Sequence, residues 1–347
     1  MQALDLNGAV REAHYSTSGN ATTWKFGGTW EPFTDLRFRA TKSRDFRAPT
    51  LFDLFAGAQA GIGAALDPHT NVNGTFITRT SGNPDLKPET SDNETVGLVY
   101  EPHFLPHFAI SVDYYQVSLQ GAISTLSPLQ TLQDCALSSG TAPSCVNIKR
   151  PLPYADASAA NYPTEVDVVG TNIAAIKTHG IDVDASYRSA LGGGELTLRM
   201  YASYVGSFQT QRSASQPVID YAGYNNTGSG GVAPAVPRVK GYLSVNYGYG
   251  PLSVFVQEDV IGPIKNGPTL VFNEPATPVH STTDLTLTYS LDGLFARPNL
   301  FLTVNNLFNR TPPLVYGTTA PGIGLSTILP LYDTTGRYFT LGARFQF

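Results

Sequence analysis

Apolar and polar side chains alternate along most of the chain, and a period of two residues is typical of β-strands that have two different faces. Leu196 and Leu198, for example, fall on one face of a strand, and Thr197 and Arg199 fall on the other. Helical spacing is nearly absent. The alternation predicts twelve strands, at about 3–15, 22–31, 35–44, 92–101, 107–119, 171–188, 195–207, 238–248, 251–261, 281–290, 298–305 and 337–347.

The connections between these strands alternate in length. Tight turns are predicted around 31–35, 102–106, 191–194, 249–251 and 291–298. Long connections are predicted at roughly 47–90, 120–170, 208–237, 262–280 and 306–336, with a modest first link at 16–21. In an up-and-down sheet, this order places all long connections on one rim, and long irregular loops are usually functional.

These patterns favour a transmembrane antiparallel up-and-down β-barrel. Lipid cannot bond to backbone N–H and C=O groups, so a spanning sheet must close, and strands of about 9–11 residues suffice. The apolar face ends in aromatic side chains, as expected for girdles at the two membrane interfaces: Trp24, Trp30, Tyr100, Tyr114, Tyr187, Tyr247 and Tyr289. A soluble β-sandwich or another soluble β-rich binding module is the alternative.

The composition supports this fold class. Charged residues make up 14% of the 347 residues and aromatic residues 11%, which is too apolar for a disordered chain. The net charge of −5 gives no electrostatic basis for binding nucleic acid. The chain contains no run of 18 apolar residues, so we predict no transmembrane helix. The first residues have no basic or apolar region typical of a signal peptide.

The side chains that could carry chemistry are few. The six histidines are scattered, and Pro106 lies between the nearest pair, so we predict neither a metal site nor a cofactor. No hydrolase, metalloprotease or phosphate-loop motif occurs, so we do not predict an enzyme. Cys135 and Cys145 share one long connection, which predicts a disulfide in an oxidising compartment that stabilises the loop by roughly 2–3 kcal/mol. Two free thiols are the alternative.

Two segments resemble motifs of TonB-dependent outer-membrane receptors. Residues 43–54 contain Phe46, Arg47, Ala48 and Pro49, and are similar to the family's "GFRAPS-L-EL" segment. The second segment resembles the family's "NPDLKPE" motif and consists of Asn83, Pro84, Asp85, Leu86, Lys87, Pro88 and Glu89. Residues 304–309 are similar to the family's "v-NLFD" segment before the last strand, and residues 336–347 resemble its terminal strand.

The resemblance implies a barrel of about 22 strands, filled by an N-terminal plug. It also implies active uptake of a scarce ligand, such as a siderophore, cobalamin or a carbohydrate, driven through TonB. This sequence has room for about twelve strands and contains no recognisable plug or TonB box, so we expect residues 1–347 to be the C-terminal part of such a barrel. TonB would then act only through the missing region. A passive porin-like or structural barrel is the alternative function.

The resemblance also implies a location and partners. The location is the outer membrane of a Gram-negative bacterium, and the partners are membrane lipid, a small-molecule ligand of unknown identity and the barrel assembly machinery. That machinery would recognise the terminal strand, whose residues on one face are Phe339, Leu341, Phe345 and Phe347. The alternative is that Phe347 only faces lipid.

The ligand contacts remain open from sequence alone. The charged residues predicted on the polar, inward face have both signs, as in a solvated lumen wall: Arg37, Arg39, Asp113, Asp182, Asp184, Arg199, Lys240, Asp259, Asp284 and Arg344. Aromatic residues of the long connections could stack on a ligand, namely Tyr154, Tyr162, Tyr221 and Tyr224.

Overall fold

The computed structural model describes most of the chain. The described residues are 2–211, 216–225, 235–268, 275–291, 298–315, 327–329 and 331–345, with the backbone alone at 173 and 174. Within these ranges, no helix is long and apolar enough to cross a membrane.

The described elements are almost all strands. In chain order they are β1 (Ala3–Tyr15), β2 (Gly19–Phe33), β3 (Leu36–Arg47), α1 (Leu51–Phe55), β4 (Gln59–Asp67), β5 (Val72–Ser81), β6 (Glu89–Tyr100), β7 (Phe108–Thr125), α2 (Pro128–Leu137), a 3₁₀ helix (Pro143–Asn147), β8 (Ile148–Lys149), a second 3₁₀ helix (Ala159–Asn161), β9 (Glu165–Leu191), β10 (Gly194–Gln211), β11 (Ile219–Asp220), β12 (Val239–Tyr249), β13 (Leu252–Ile261), β14 (Ile264–Lys265), β15 (Ala276–Thr277), β16 (His280–Ser290), β17 (Asn299–Asn305) and β18 (Tyr338–Arg344).

Twelve of these strands form one continuous antiparallel wall. Their order is β1-β2-β3-β6-β7-β9-β10-β12-β13-β16-β17-β18, so each wall strand pairs with the next one along the chain. The twelve predicted strands and the up-and-down topology are therefore confirmed. β1 and β18 are the two ends of this path.

The register keeps apolar side chains on one face of the wall. Leu4 of β1 lies opposite Trp30 of β2, and Leu285 of β16 lies between Val256 of β13 and Val304 of β17. We call this face outward and the polar face inward. Exposed apolar side chains recur along the outward face, and include Leu6, Phe26, Phe38, Val96, Ile181, Met200, Leu243, Leu252, Tyr289 and Leu300.

Some of the charged side chains on the outward face have partners there. Lys42 of β3 pairs with Glu94 of β6 at 2.5 Å, and a second pair, between Arg44 and Asp92, lies one step nearer the long connections. On β13, the Glu258 carboxylate accepts a hydrogen bond from the hydroxyl of Thr283. Because an unpaired charge facing lipid is costly, these contacts reduce the penalty of polar groups on this face.

The long connections contain secondary structure, which corrects the expectation that they are irregular. The segment predicted at 47–90 folds into α1 and the hairpin β4–β5, and the segment at 120–170 contains α2, both 3₁₀ helices and β8. Capping boxes start the two helices, at Thr50 and at Ser127. β9 also begins at Glu165, earlier than predicted.

These segments pack together into a lobe, defined here as residues 51–81 and 128–170. Its sheet has the order β4-β5-β9-β8, in which β5 runs parallel to the start of β9. Phe76, Leu132 and Val166 form its buried core, and Ala65 and Tyr162 pack against them. The lobe therefore has a core of its own beside the wall.

A buried ion pair joins the two halves of the lobe. Arg150 donates to both carboxylate oxygens of Asp67, at 2.7 and 2.9 Å, and the side chains are 6% and 0% exposed. Arg150 also donates to the backbone carbonyl of Asn161, and the buried Asn161 side chain bonds to three backbone groups between residues 152 and 156. Arg150 and the Thr70 hydroxyl outweigh the desolvation of Asp67 and lower the pKa of its carboxyl.

The alternation of the wall can be tested at the centre of β16. We expect Leu285→Arg to destabilise the membrane-inserted protein by about 2–4 kcal/mol, since a charge would face hydrocarbon. Thr286→Arg is the matched control, because Thr286 faces inward and shares a hydrogen bond of 3.0 Å with Thr303. The measurement is equilibrium unfolding in lipid vesicles. If Leu285→Arg and Thr286→Arg lower the free energy of unfolding equally, Leu285 does not face lipid.

The buried ion pair predicts a large effect of one substitution in the lobe. Arg150→Met should destabilise the lobe by about 3–5 kcal/mol, because Asp67 would stay buried without its cation. The exposed pair Arg188–Glu195, at 3.3 Å, supplies the control, since Arg188→Met should cost below about 1 kcal/mol. Equilibrium unfolding of the purified protein measures both variants, and protease susceptibility of the lobe is a second readout for Arg150→Met. A result below about 1 kcal/mol for Arg150→Met would contradict the prediction.

Candidate ligand site

The two family-like motifs meet at the rim where the long connections begin. Arg47, the last residue of β3, donates to both carboxylate oxygens of Glu89, the first residue of β6, at 2.7 and 2.9 Å. Glu89 also accepts a hydrogen bond from the backbone N–H of Ile123 on β7, at 2.6 Å. The pair therefore ties three neighbouring wall strands together at their ends.

The rest of the second motif fixes the chain between β5 and β6. Asn83 donates to the backbone carbonyl of Gly170 at 2.9 Å, and its own oxygen accepts from the N–H of Asp85. Leu86 is buried, and the backbone of Lys87 forms hydrogen bonds in both directions with the Asn172 side chain. The remaining motif residues lie in the same rim region, with Pro49 and Glu89 buried, Phe46, Ala48 and Pro88 partly buried, and Pro84 exposed. These contacts give the motifs a structural task at the rim.

A disulfide joins Cys135 and Cys145, with an S–S distance of 2.04 Å. It connects α2 to the first 3₁₀ helix, and Cys135 is buried against the lobe. Beside it, the Ser144 hydroxyl donates to the carboxylate of Asp134. The cross-link thus lies within the segment that covers the lobe core.

The described part of the terminal strand presents its apolar side chains outward. Phe339 lies opposite Val304 of β17, and Leu341 lies opposite Leu302. Phe339, Leu341 and Phe345 are all exposed, and Phe347 lies outside the described residues. Recognition of this strand by the assembly machinery stays a prediction.

Several predicted inward charges are paired across the wall. Arg39 of β3 forms a two-bond ion pair with Asp113 of β7, with Nε 2.7 Å from the carboxylate, although β6 lies between them. Gly97 of β6 lies opposite both residues, and a Cβ there would come within 2.0 Å of the Asp113 carboxylate. Glycine at this position lets the guanidinium cross an intervening strand.

Two inward cavities lie near the rim, on either side of Lys240 and Asp259. The first has a volume of about 580 Å³ and is lined by Tyr201, Tyr242 and residues 235–237. The second has a volume of about 270 Å³, and its further lining residues include Thr282, Asp284, Asn306, Asp333 and Tyr338. His280 and Tyr332 also line it. Both cavities open on the polar face of β12 and β13.

Aromatic rings and carboxylates dominate these cavities. Tyr201 and Tyr242 are stacked, with ring centroids 5.9 Å apart, and His280 meets Tyr332 edge to face at 5.2 Å. Among the described lining residues, Lys240 is the one cation, against the carboxylates of Asp259, Asp284 and Asp333. The surface can therefore stack on a planar group and bond to polar ones, and its formal charge is negative.

The carboxylates at the cavities are held by neutral donors. Gln257 donates to both oxygens of Asp259, at 3.2 and 3.0 Å, and the backbone N–H of Asn306 donates to Asp284 at 2.8 Å. Level with Lys240, Tyr201 donates to the carboxylate of Asp182 at 3.3 Å. These donors fix the orientation of the three carboxylates.

The tyrosines suggested by the sequence mostly have contacts within the protein. Tyr221 is 1% exposed, and Tyr162 donates to the carbonyl of Ala65 from within the lobe core. Tyr154 stacks on His69, with ring centroids 4.0 Å apart. Tyr224 lies 5.8 Å from the ammonium group of Lys265. The tyrosines of the first cavity are Tyr201 and Tyr242, which were not among these four. Alternation of apolar and polar residues predicts that they face inward, but it does not predict that they lie together.

Carboxylates on the lobe surface form ion pairs with Arg79 and Lys149. Glu165 accepts hydrogen bonds from Lys149 and, at 3.1 Å, from Arg79, which lowers the pKa of its carboxyl to about 2. Lys149 also approaches Asp167 at 3.4 Å. In the parts of the chain that the structure describes, no group of three or more His, Cys, Asp or Glu side chains could hold a metal ion.

Comparisons with known proteins identify the family. The family model for "TonB dependent receptor-like, beta-barrel" matches residues 2–307. A comparison with curated proteins found no match.

Solved structures with similar folds are named as siderophore receptors and as an iron transporter. A mutant ferric enterobactin receptor of Pseudomonas aeruginosa, in complex with enterobactin, is 18% identical, with a TM-score of 0.69 over 99% of this chain and 43% of its own. The siderophore receptor PirA of Acinetobacter baumannii is 13% identical, with a TM-score of 0.65 over 100% of this chain and 44% of its own. The FrpB iron transporter of Neisseria meningitidis is 16% identical, with a TM-score of 0.56 over 99% of this chain and 43% of its own.

This chain spans less than half the length of those structures. The family match covers most of its own length, and the wall topology agrees with the barrel fold of the similar structures. The chain belongs to the TonB-dependent receptor family of Gram-negative outer-membrane proteins, and its wall strands are part of the β-barrel of such a receptor.

Proposed function

We propose that the chain forms the ligand-binding wall of an uptake receptor whose substrate is an iron chelate. The observation that carries this proposal is the pair of inward, tyrosine-lined cavities at the rim, beside Lys240 and Asp259. Receptors with a similar fold are named for ferric enterobactin, siderophores and iron. A wall cavity near the long connections is where a ligand entering the lumen would first meet side chains.

The charge of the cavities refines the chelate class. A ferric complex of three catecholates is a trianion, whereas complexes of hydroxamates are neutral or cationic. The lining carries Asp259, Asp284 and Asp333 against Lys240, so a trianion would be repelled and a neutral or cationic chelate would be attracted. Ferric hydroxamates are therefore the proposed substrate class.

Transport through TonB is part of the same proposal. Energy for uptake would come from the inner membrane through a plug segment, as the family membership implies. A passive channel is the rival, and it predicts conductance that does not depend on TonB or on ligand. A soluble binding module is disfavoured by the exposed apolar side chains that recur on the outward face of the wall.

The orientation of the lobe gives a first prediction. If the long connections are extracellular, a thiol-specific, membrane-impermeant label should modify Ala157→Cys in intact cells, since this lobe residue is exposed. Thr34→Cys, in the exposed tight turn between β2 and β3, should react only after the outer membrane is permeabilised. Because Cys135 and Cys145 are joined in a disulfide, neither should react with the label. The reverse labelling pattern would contradict the proposed orientation.

The cavities give the second prediction. Tyr242→Ala should weaken binding of a ferric trihydroxamate by about tenfold, because it removes one ring of the stacked pair and the surface it offers to the ligand. Asp259→Asn should narrow the preference for a cationic over a trianionic chelate. Quenching of the purified receptor's fluorescence by each added ferric chelate measures both effects.

Tyr289→Ala is the matched control for Tyr242→Ala, since Tyr289 lies on the outward face of β16, two strands along the wall from β12. It should leave chelate affinity unchanged. If Tyr242→Ala and Tyr289→Ala behave alike, the cavities are not the binding site. Tighter binding of a ferric tricatecholate than of a trihydroxamate would contradict the proposed substrate class.

A further inference from the structure

A groove crosses the outward face of the wall between β2 and β6. Its volume is about 520 Å³, and the outward side chains that line it are apolar along most of its length: Leu4, Leu6, Phe26, Trp30, Phe38, Ala40 and Val96. Lys42 and Glu94 are its charged outward residues, and they lie at the side nearer the long connections. The groove is therefore on the lipid-facing side of the barrel, separate from the two inward cavities.

The groove exists because two neighbouring strands carry small outward residues at the same level. Gly28 of β2 lies opposite Ala40 of β3, so neither strand has an outward side chain larger than a methyl group there. The rows on either side carry long side chains, with Trp30 opposite Phe38 in one row and Phe26 opposite Lys42 in the other. The register thus places a narrow floor between two raised walls.

The two sides of the groove differ in polarity. On one side, the rings of Trp30 and Phe38 are stacked, with centroids 5.5 Å apart. On the other side, the ion pair of Lys42 and Glu94 has side chains that are 59% and 44% exposed. An ammonium group has three donors, so Lys42 can bond to a second acceptor beside Glu94. An apolar trough that ends at an exposed cation matches the hydrocarbon chain and the headgroup phosphate of a lipid.

We propose that this groove holds one acyl chain of a membrane lipid, whose headgroup phosphate bonds to Lys42. The occupant comes from the membrane itself, because the groove is continuous with the outward face that the barrel presents to lipid. A long lysine side chain on such a face can extend its ammonium group to the depth of the headgroups. The proposal is independent of the chelate that the receptor takes up.

A lipid held in this way differs from the lipids that only surround the barrel. A smooth wall contacts an acyl chain along one side, whereas a groove also contacts it laterally, and the many small van der Waals attractions add up. A phosphate bonded to an ammonium group adds a charge-assisted hydrogen bond. The lipid in the groove should therefore stay with the receptor when the surrounding lipids are removed by detergent.

The experiment uses the full-length receptor, reconstituted in vesicles of phosphatidylcholine and phosphatidylglycerol and then transferred to a mild detergent. Native mass spectrometry counts the lipids that remain bound. Ala40→Leu should remove one retained phosphatidylglycerol per receptor, because the larger side chain fills the floor. Gly28 is less suitable for this test, since a Cβ there would come within 2.8 Å of the Leu6 side chain.

Ala185→Leu is the matched control for Ala40→Leu. Ala185 lies on the outward face of β9, opposite Met200 of β10, and outside the lining of the groove. The same substitution there adds the same apolar volume to the lipid-facing wall, so it should leave the number of retained lipids unchanged. Heat-modifiable migration on gels checks that each variant is folded.

The headgroup contact is tested by a second pair of variants. Lys42→Gln should lower retention of phosphatidylglycerol by about threefold, because a neutral amide replaces the charge-assisted bond to phosphate. Lys177→Gln is the matched control, since Lys177 is an exposed cation on the outward face of β9, opposite Ser118 of β7. It should leave retention unchanged.

The two tryptophans of this chain locate the retained lipid. Both lie on the outward face of β2, and Trp30 lines the groove whereas Trp24 is not part of its lining. Phosphatidylglycerol with brominated acyl chains quenches tryptophans that its chains contact. The retained brominated lipid should lower the fluorescence of the receptor, and Trp30→Phe should abolish most of that decrease. Trp24→Phe should preserve it.

Each outcome supports or overturns the proposal. Loss of one lipid in Ala40→Leu but not in Ala185→Leu, with quenching that depends on Trp30, supports a lipid in the groove. Equal retention by the two alanine variants, or no lipid on the folded receptor, would overturn it. An effect of Lys42→Gln without an effect of Ala40→Leu would also overturn it, because the lipid would then contact only the rim.

Discussion

The backbone hydrogen bonds of the wall are the constraint on which the rest of this structure depends. In lipid there is no water to bond with N–H and C=O groups, so each wall strand must pair with its neighbours along its length. The twelve wall strands meet this demand in consecutive antiparallel order. Once the pairing is fixed, the pleat assigns alternate side chains to lipid and to the lumen, and the sequence must obey that division.

The demand for continuous pairing explains residues that would otherwise look unrelated. At the β7–β9 pair the register shifts between Leu119 and Ala122, where Gly121 takes a left-handed conformation with φ of 61°. The side chain of Asn172 donates to the carbonyl of Gly121 at 2.8 Å and so satisfies a group near the break. Arg47 and Glu89 act in the same way at the rim, since Glu89 accepts from a backbone N–H of β7.

The same reasoning gives the family-like motifs a physical role. Their side chains bond to each other and to nearby backbone, and none of these contacts requires a ligand. Such a set can recur in receptors for different substrates, because it stabilises the place where strands become loops. Under the proposed function, specificity would depend on other positions, such as the inward faces of β10, β12 and β13.

The wall could be predicted from sequence because its signal is local. Alternation with period two needs only neighbouring residues, and it located all twelve strands within a few residues at most ends. The lobe could not be predicted in the same way. Asp67 and Arg150 are separated by 83 positions, and β5 pairs in parallel with β9, so no short window of sequence contains either contact.

The candidate ligand site also depends on contacts between residues that are far apart in the sequence. Alternation places Tyr242 and Lys240 on the inward face, but the cavities also need Tyr332, which comes from the connection that follows β17. The prediction of stacking tyrosines in the long connections rests on residue type alone. Tyr221, one of them, is buried in the structure. Burial of a loop tyrosine depends on contacts between distant segments, which hydropathy does not encode.

Strand β9 links the lobe mechanically to the wall. Its 27 residues begin in the lobe sheet, beside β5 and β8, and end in the wall between β7 and β10. A swinging lobe would have to break the hydrogen bonds that Asn83 and Asn172 make across this junction. These bonds hold the lobe in a fixed position relative to the wall, so the lobe should not move as a separate body.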